Sequence, residues 1–429
     1  MRMNRGFYTI MAAQFFSSLA DNALLIAAIA MLTAMKSPAW MTPLLKLFFV
    51  MSYVVLAAFV GAFADSMPKG RVMLITNVIK IVGCAMLFMN VHPLLAYAVV
   101  GFGAAAYSPA KYGILTELLP AEKLVVANGW IEGLTMISII AGTVIGGALV
   151  NPQVAATLLT FDMPVVDTSV NTPLEAALAV IMATYILATL FNLRIPDTGA
   201  RYQHQERHPL KLIADFANCY RTLWHDKLGQ ITLAITTLLW GAGATLHFIV
   251  FKWAEKSLQM PLDKSSILVG ITAIGMALGA IGAARFIPLK KSLTVMPLGV
   301  AMGLTVICMV FVNSVWMAYP LLLLVGALAG FYVVPMNALL QHRGHVLMSA
   351  GHSIAVQNFN ENISILVMLA LYALMVKLDV NINIVIVGFG LFLSGTVLLV
   401  MRKHALNQKK FDSVSLIGEA KHAPHGSHA

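Results

Sequence analysis

The sequence predicts an all-α integral membrane protein of twelve transmembrane helices in two six-helix halves. Three observations carry that expectation. Apolar residues make up 59% of the chain and charged residues 11%, with a mean hydropathy of +0.83. That balance excludes an ordinary soluble globular protein. The apolar residues fall in runs of the ~20 residues needed to cross a bilayer core, at 8–35, 41–64, 71–90, 94–118, 127–150, 174–193, 229–252, 265–287, 292–313, 316–340, 350–377 and 381–401. The longest polar segment between them, Arg194 to Lys227, divides the runs six and six.

Four regions follow: an N-terminal six-helix half at 1–193, a cytoplasmic central loop at 194–228, a C-terminal six-helix half at 229–401, and a cytoplasmic tail at 402–429 expected to be disordered. The first run, from Tyr8 to about Met35, is too long for a signal-peptide core and contains Asp21, so it is expected to stay as the first helix. The net charge of +10 reflects orientation rather than nucleic-acid binding. Arg2, Arg5, Lys69, Arg71, Lys123, the central loop, Arg285, Lys290, Lys291, Arg343, Arg402, Lys403, Lys409 and Lys410 all fall on one side; Lys36, Lys256 and Lys264 are the main exceptions. The positive-inside rule then places both termini in the cytoplasm. Within the central loop, Leu210 to Trp224 has helical apolar spacing that fits either a helix lying on the membrane surface or a solvated linker helix.

Cys84, Cys219 and Cys308 are scattered and form no C-x-x-C, which indicates neither a disulfide framework nor a metal site. No nucleophile–base pair, ligand cluster or phosphate loop stands out either. The expectation is a non-enzyme without metal or cofactor.

The informative residues are the charged ones inside apolar runs: Asp21, Lys80, Lys111 and Glu361. Each costs at least about 2.5–3.5 kcal/mol near the bilayer centre, so such residues face a polar cavity or a partner within the bundle. Charges of both signs in different helices point to transport of a polar or zwitterionic substrate. In the first run Gln14, Ser17, Ser18 and Asp21 share a face, with Asn22 beside them. In the third, Asn77 and Lys80 stand one turn apart; an ion pair of Lys80 with Asp21 or Glu132 is the structural alternative to substrate contact. The fourth holds Tyr107-Ser108-Pro109-Ala110-Lys111-Tyr112-Gly113-Ile114-Leu115. There Pro109 should kink the helix, and Tyr107 and Lys111 together suit a phosphate; a packing helix with a snorkelling lysine is the plainer alternative. Glu132 opens the fifth run as an inner-gate or structural acid. His247, in the seventh, is either a packing residue or a substrate contact. In the eleventh, Ser353, Gln357, Glu361 and Ser364 form a stripe with Asn358, Asn360 and Asn362 beside it. Amides at that density call for a water-filled cavity.

After the second run, Gly61-Ala62-Phe63-Ala64-Asp65-Ser66-Met67-Pro68-Lys69-Gly70-Arg71 resembles the G-x-x-x-D-x-x-G-R-[KR] loop of the major facilitator superfamily, with Lys69-Gly70-Arg71 in place of the stricter order. Asp65, Lys69 and Arg71 are the expected gating cluster; a basic loop with one incidental acid is the alternative. The six-plus-six layout with a basic central loop is also that superfamily's. The string from Tyr107 to Leu115, Ala20-Asp21-Asn22-Ala23-Leu24-Leu25, and Ala355-Val356-Gln357-Asn358 with Glu361-Asn362 resemble, over essentially the whole chain, the bacterial lysophospholipid transporters of that superfamily.

The resemblance implies a location in the inner membrane of a Gram-negative cell, and movement of lyso-phosphatidylethanolamine and related lysolipids to the cytoplasmic leaflet. It implies membrane lipid and lysophospholipid as partners, and a separate acyl-ACP synthetase/acyltransferase that reacylates the product. It also implies charged substrate positions at Asp21 and Lys111, with Glu361 as a third. Two positions depart from the family pattern. His247 follows Thr245-Leu246 where relatives carry arginine, and His342 follows Leu340-Gln341 where they carry an acid, so a salt bridge between those positions does not carry over. The competing expectation is a proton-coupled exporter of small amphipathic drugs, with Asp21 or Glu361 carrying the proton.

Overall fold

The computed structural model describes residues 3–38, 41–160, 172–260 and 262–418. Arg2 and the tail beyond residue 418 lie outside them. The described chain is helical, and its elements run α1 Arg5–Ala34, α2 Met41–Val55, α3 Ala57–Asp65, α4 Lys69–Phe88, α5 Pro93–Leu118, α6 Leu124–Leu149, α7 Pro152–Leu159, α8 Pro173–Leu193, α9 Pro209–His225, α10 Gly229–Ser257, α11 Leu262–Phe286, α12 Met296–Ile307, α13 Val315–Leu347, α14 Ala350–Lys377 and α15 Ile382–Lys410. Among the described residues eleven helical segments are long and apolar enough to cross a membrane, and α2 with α3 supplies a twelfth as a pair bent by 65°. The twelve-helix expectation fits.

Local chemistry sets several starts. Asn4 accepts the Phe7 N–H at 2.8 Å and caps α1. Thr172 and Glu175 form a capping box at α8, with Pro173 at its first position. The run expected to be continuous over 41–64 breaks at Leu56, one turn after the Ser52 hydroxyl donates to the Phe48 carbonyl at 3.3 Å. Such back-bonding bends helices. At Pro109 the chain stays in α5 as a single helix.

Packing divides the chain into two compact units. One comprises Met1–Ile114 with Ile137–Leu212, the other Leu115–Met136 with Ile213–Ala429, so α6 contributes a half to each. In the first unit α8 packs along α1 and α4. Small residues allow close approach: Gly101 faces the Phe49 backbone, Gly103 faces the Thr76 carbonyl, and Gly142 and Gly146 face α1 at Leu19 and Ala23. In the second unit the most extensive contact joins α11 to α13. Gly275 and Gly279 of α11 face the backbone of Leu323 and Ala327, while Gly326 and Gly330 of α13 face that of Thr272 and Met276. These are reciprocal small-x-x-x-small seams, which in lipid gain their energy from backbone-close van der Waals packing.

Two polar segments are ordered against the second unit. The helix expected within the central loop forms as α9, and one of its faces packs on the second unit. Its Leu223 is buried with Leu233, Leu340 and Val356, and its Phe216 and Tyr220 rings meet Phe359 at 5.3 and 6.3 Å. Residues 402–410, expected to be disordered, continue α15, and a 3-10 turn at Ser413–Leu416 brings Ile417 into a buried position. The Gly418 N–H then donates to His342 Nε2 at 3.1 Å.

A Gly279→Val substitution is expected to destabilise the protein by about 1–3 kcal/mol or more through overpacking against the Ala327 carbonyl. Gly388→Val, at a position with open space, is expected to be neutral. Thermal unfolding of both variants in detergent micelles checks the pair.

Candidate functional site

In the first unit the α1 stripe meets α4, α5 and α8. Lys80 donates to Asp21 Oδ2 at 2.7 Å and to Ser17 Oγ at 2.9 Å, and its ammonium lies 4.8 Å from the Tyr107 ring centroid. The Tyr185 hydroxyl donates to the other oxygen of Asp21 at 2.7 Å, and Ser17 donates to Asn77 Oδ1 at 2.7 Å. Lys80 is almost fully enclosed, its side chain 2% accessible, while Asp21 keeps 13%. Both carboxylate oxygens and the ammonium are therefore matched inside apolar helices, which offsets their desolvation. Around this core several buried polar atoms have no protein hydrogen-bond partner: both ends of the Gln14 amide, Asn77 Nδ2 and the Tyr107 hydroxyl. A concentration of such atoms marks a place built for more than packing.

Of the two readings of Lys80, its geometry is that of the ion pair with Asp21. Tyr107 turns its ring to Lys80, whereas half-buried Lys111 places its ammonium 4.4 Å from the centroid of its neighbour Tyr112. Asn22 donates to the Ser18 carbonyl of its own helix at 2.8 Å. Tyr185 was not legible in the sequence, because its hydroxyl sits in a largely apolar helix far along the chain from Asp21.

At the end of α3, Lys69 pairs with Asp65 at 2.5 Å, donates to the Ala64 carbonyl and sits 4.8 Å from the Tyr202 ring centroid, with both charged groups buried. Arg71 is exposed. Nearby in the loop, the Arg201 guanidinium pulls the Asp197 carboxyl down to about 2, with help from the Gly199 N–H and the charge of Arg71.

The second unit holds a different arrangement, mostly of amides. Asn128 of α6 and Gln341 of α13 exchange hydrogen bonds at 2.9 Å in both directions. One turn along, Asn337 donates to Glu132 at 3.3 Å, Gln357 donates to Asn337 at 3.0 Å, and Gln357 also donates to Glu361 at 2.8 Å. This ladder joins α6, α13 and α14 through two carboxylates and four carboxamides, all buried. Asn358 is buried beside it, and its carbonyl accepts from Asn362 at 2.8 Å. Asn337 and Gln341, four residues apart on α13, escaped the sequence reading although their spacing was visible.

His247 is exposed on α10 with its ring edge-on to Phe248 and Phe251 at 5.5 and 5.2 Å. Arg343, assigned from sequence to a basic loop, lies instead inside α13 and is buried. It grips Asp226 in bidentate fashion at 2.8 and 2.9 Å, while Asp226 accepts the Leu228 and Gly229 N–H groups at the start of α10.

Residues 10–369 match the sequence model of the Major Facilitator Superfamily. The chain belongs to that superfamily. Within it, it falls among the bacterial LplT proteins. It is 40% identical over 396 residues to the lysophospholipid transporter LplT of Photorhabdus laumondii, covering 92% of this chain and 94% of that one. It is 41% identical over 377 residues to the lysophospholipid transporter LplT of Yersinia pestis, covering 88% of each. Solved structures agree in fold. FucP, a superfamily transporter in its outward conformation, aligns with a TM-score of 0.71 at 13% identity, over 93% of this chain and 98% of that one. The human organic anion transporter MFSD10 aligns with 0.70 at 14% identity, over 94% and 100%. The chain is a multi-pass membrane protein of a transporter superfamily.

Removing one partner of a buried pair leaves an uncompensated charge, at a cost of about 3–5 kcal/mol. Lys80→Met is accordingly expected to lower stability by that order, and Asp21→Asn combined with Lys80→Met to recover most of it. A double-mutant cycle on thermal unfolding measures the coupling; additive losses would show that the pair is not a unit.

Proposed function

We propose that this protein transports lysophospholipids. The observation that carries the reading is the 40% identity, over 92% of the chain, to a protein named for that cargo. The Asp21–Lys80 pair supports it chemically. A zwitterionic head group carries the same two charges as the pair itself. Its ammonium can replace Lys80 at Asp21 while its phosphate takes the released ammonium, with no net charge added to the apolar region. Lys111, further along α5, is the cation proposed to attract the phosphate first, with Asn22 and Tyr107 contributing polar contacts. A single acyl chain leaves less apolar bulk to pass than two, so it can remain against apolar helix surface or lipid.

In the same proposal the two six-helix halves alternate access, Asp65, Lys69 and Arg71 act as the latch, and Glu132 belongs to a gate. Transport proceeds to the cytoplasmic leaflet of a bacterial inner membrane, with both termini on that side. Lyso-phosphatidylethanolamine is the principal cargo, and a separate acyl-ACP synthetase/acyltransferase consumes it.

The test is head-group accessibility of labelled lyso-phosphatidylethanolamine in proteoliposomes. Lys111→Ala and Asp21→Ala are expected to slow flipping at least about tenfold, a barrier change of roughly 1.4 kcal/mol, at equal protein abundance. Full activity in both would refute these roles. Transport of a cationic dye that lysolipid does not compete with would favour the drug-exporter alternative.

A further inference from the structure

Besides Lys80 and Lys111, the apolar runs of the first unit hold one more lysine, Lys46 of α2. A lysine near the end of a membrane helix ordinarily stretches along apolar surface to reach the lipid head groups. The face that Lys46 occupies argues against that role. Phe48, Met51 and Val55, three and four residues apart, form the exposed apolar side of α2. Lys46 shares the opposite side with Val50 and Tyr53, and Val50 is buried. Its ammonium stands 5.5 Å from the Phe49 ring centroid, and Phe49 stacks at 5.3 Å on Tyr97, a buried residue of α5. Phe49 and Tyr97 pack in the same apolar cluster as Ala20, Ala23 and Leu24, the α1 residues on either side of Asp21. Lys46 is therefore turned along an aromatic wall toward α5 and α1.

The charge of Asp21 reaches Lys46, as it reaches the hydroxyls of Tyr97, Tyr107 and Tyr185. Asp21 does not pair with it, because Lys80 holds one carboxylate oxygen and Tyr185 the other. Among the described residues Lys46 makes neither an ion pair nor a side-chain hydrogen bond, and it is exposed. Its three donors are open to a ligand. Since Lys80 already balances Asp21, the charge of Lys46 is in excess, and what it lacks is an anion. Its depth completes the picture. Short connections join α1 to α2 and α4 to α5 at one end of the unit. Counting ~1.5 Å per residue from that end, Lys46 lies about 8 Å in, Lys80 about 12 Å, Asp21 about 20 Å and Lys111 about 27 Å. The Asp21–Lys80 pair thus has a lysine on each approach.

We propose that Lys46 is a second phosphate-binding cation of the first unit, placed on the opposite side of the Asp21–Lys80 pair from Lys111. An ammonium donates and never accepts, so Lys46 takes the phosphate of a head group and leaves its amine free. With the phosphate held there, the amine is the end that reaches Asp21, and the head group meets the pair in one orientation. Lys46 does for one approach what Lys111 does for the other. The assignment of this phosphate to a lysolipid cargo rests on the transporter reading; the binding of an alkyl phosphate at Lys46 does not.

The experiment has two arms. The first measures binding without transport, on purified full-length protein in a nonionic detergent free of phospholipid. Hexyl phosphate, a monomeric probe, is titrated calorimetrically into Lys111→Gln, with hexyl glucoside as the neutral control. Adding Lys46→Gln is expected to weaken hexyl phosphate binding at least about tenfold, the loss of a charged hydrogen bond, while Lys46→Arg retains it and melting is unchanged in both. Unaltered hexyl phosphate binding, or equal weakening of the neutral control, overturns the site. In the wild-type chain, which needs no substitution, hexyl phosphate is expected to protect Lys46 severalfold from an amine-reactive label read by mass spectrometry. Protection by phospholipid bicelles alone would mark a lysine that only touches bulk lipid, and would also overturn it. In the second arm, Lys46→Gln in proteoliposomes is expected to raise the lysolipid concentration for half-maximal flipping at least about fivefold with the maximal rate nearly kept, the pattern of a lost binding contact. A lower maximal rate at an unchanged half-maximal concentration overturns the cargo role. Absence of lysolipid flipping in wild type would overturn the cargo assignment and leave the binding arm to decide Lys46.

Discussion

The constraint on which the first unit depends is that an aspartate and a lysine, buried in apolar helices, must satisfy each other. Asp21 and Lys80 meet at 2.7 Å, and the surrounding hydroxyls are arranged by what remains of their valences: Tyr185 on the second carboxylate oxygen, Ser17 on the ammonium, Asn77 behind Ser17. This fixes the register of α1 against α4 and α8 more tightly than apolar packing could. Leucine-like side chains tolerate small slips, whereas a buried charge that loses its partner does not. The same completeness makes the site responsive. In the proposed mechanism a zwitterion, which offers both charges at once, can take the place of both partners of the pair.

The second unit solves its polar problem with amides. Between Glu132 and Glu361 stand Asn337 and Gln357, groups that donate and accept together and so relay hydrogen bonding between acids. Carboxamides cannot neutralise a carboxylate as lysine does, so Glu132 and Glu361 are joined here by hydrogen bonds rather than by ion pairs. The glycine seams supply the mechanical counterpart. Where Gly275, Gly279, Gly326 and Gly330 bring α11 and α13 to backbone contact, the two helices pack without side chains between them. The two units are thus held by different means, and their polar centres have different chemistry.

Much of this was legible in the sequence, for identifiable reasons. Spans announce themselves because lipid demands ~20 apolar residues in a row. The stripes on α1 and α14 were visible because helical spacing puts residues three and four apart on one face, and the partnership of Lys80 with Asp21 was nameable because few opposite charges are available inside the spans. Other features were not. Tyr185 lies 164 positions from Asp21 in a largely apolar helix, and no local pattern distinguishes it from a packing tyrosine. The break at Leu56 has neither proline nor glycine at 55–57 to signal it. The extension of α15 to Lys410 was hidden because Arg402 and Lys403 mark where a span leaves the membrane, which is not where a helix must stop. Arg343 was assigned to a loop for the same reason, although α13 carries it inside and ties it to Asp226.

The most direct measurement of the central claim is the head-group selectivity of flipping in the doubly neutral variant Asp21→Asn/Lys80→Met, whose internal pair is gone without leaving a stranded charge. Zwitterionic, anionic and cationic single-chain lipids would be compared in the same proteoliposomes. A protein that grips a zwitterion by exchanging it for its own ion pair should favour the zwitterion in wild type and lose that preference, with most of its rate, in the variant. A folded double variant that flips the zwitterion as fast and as selectively as wild type would contradict the account.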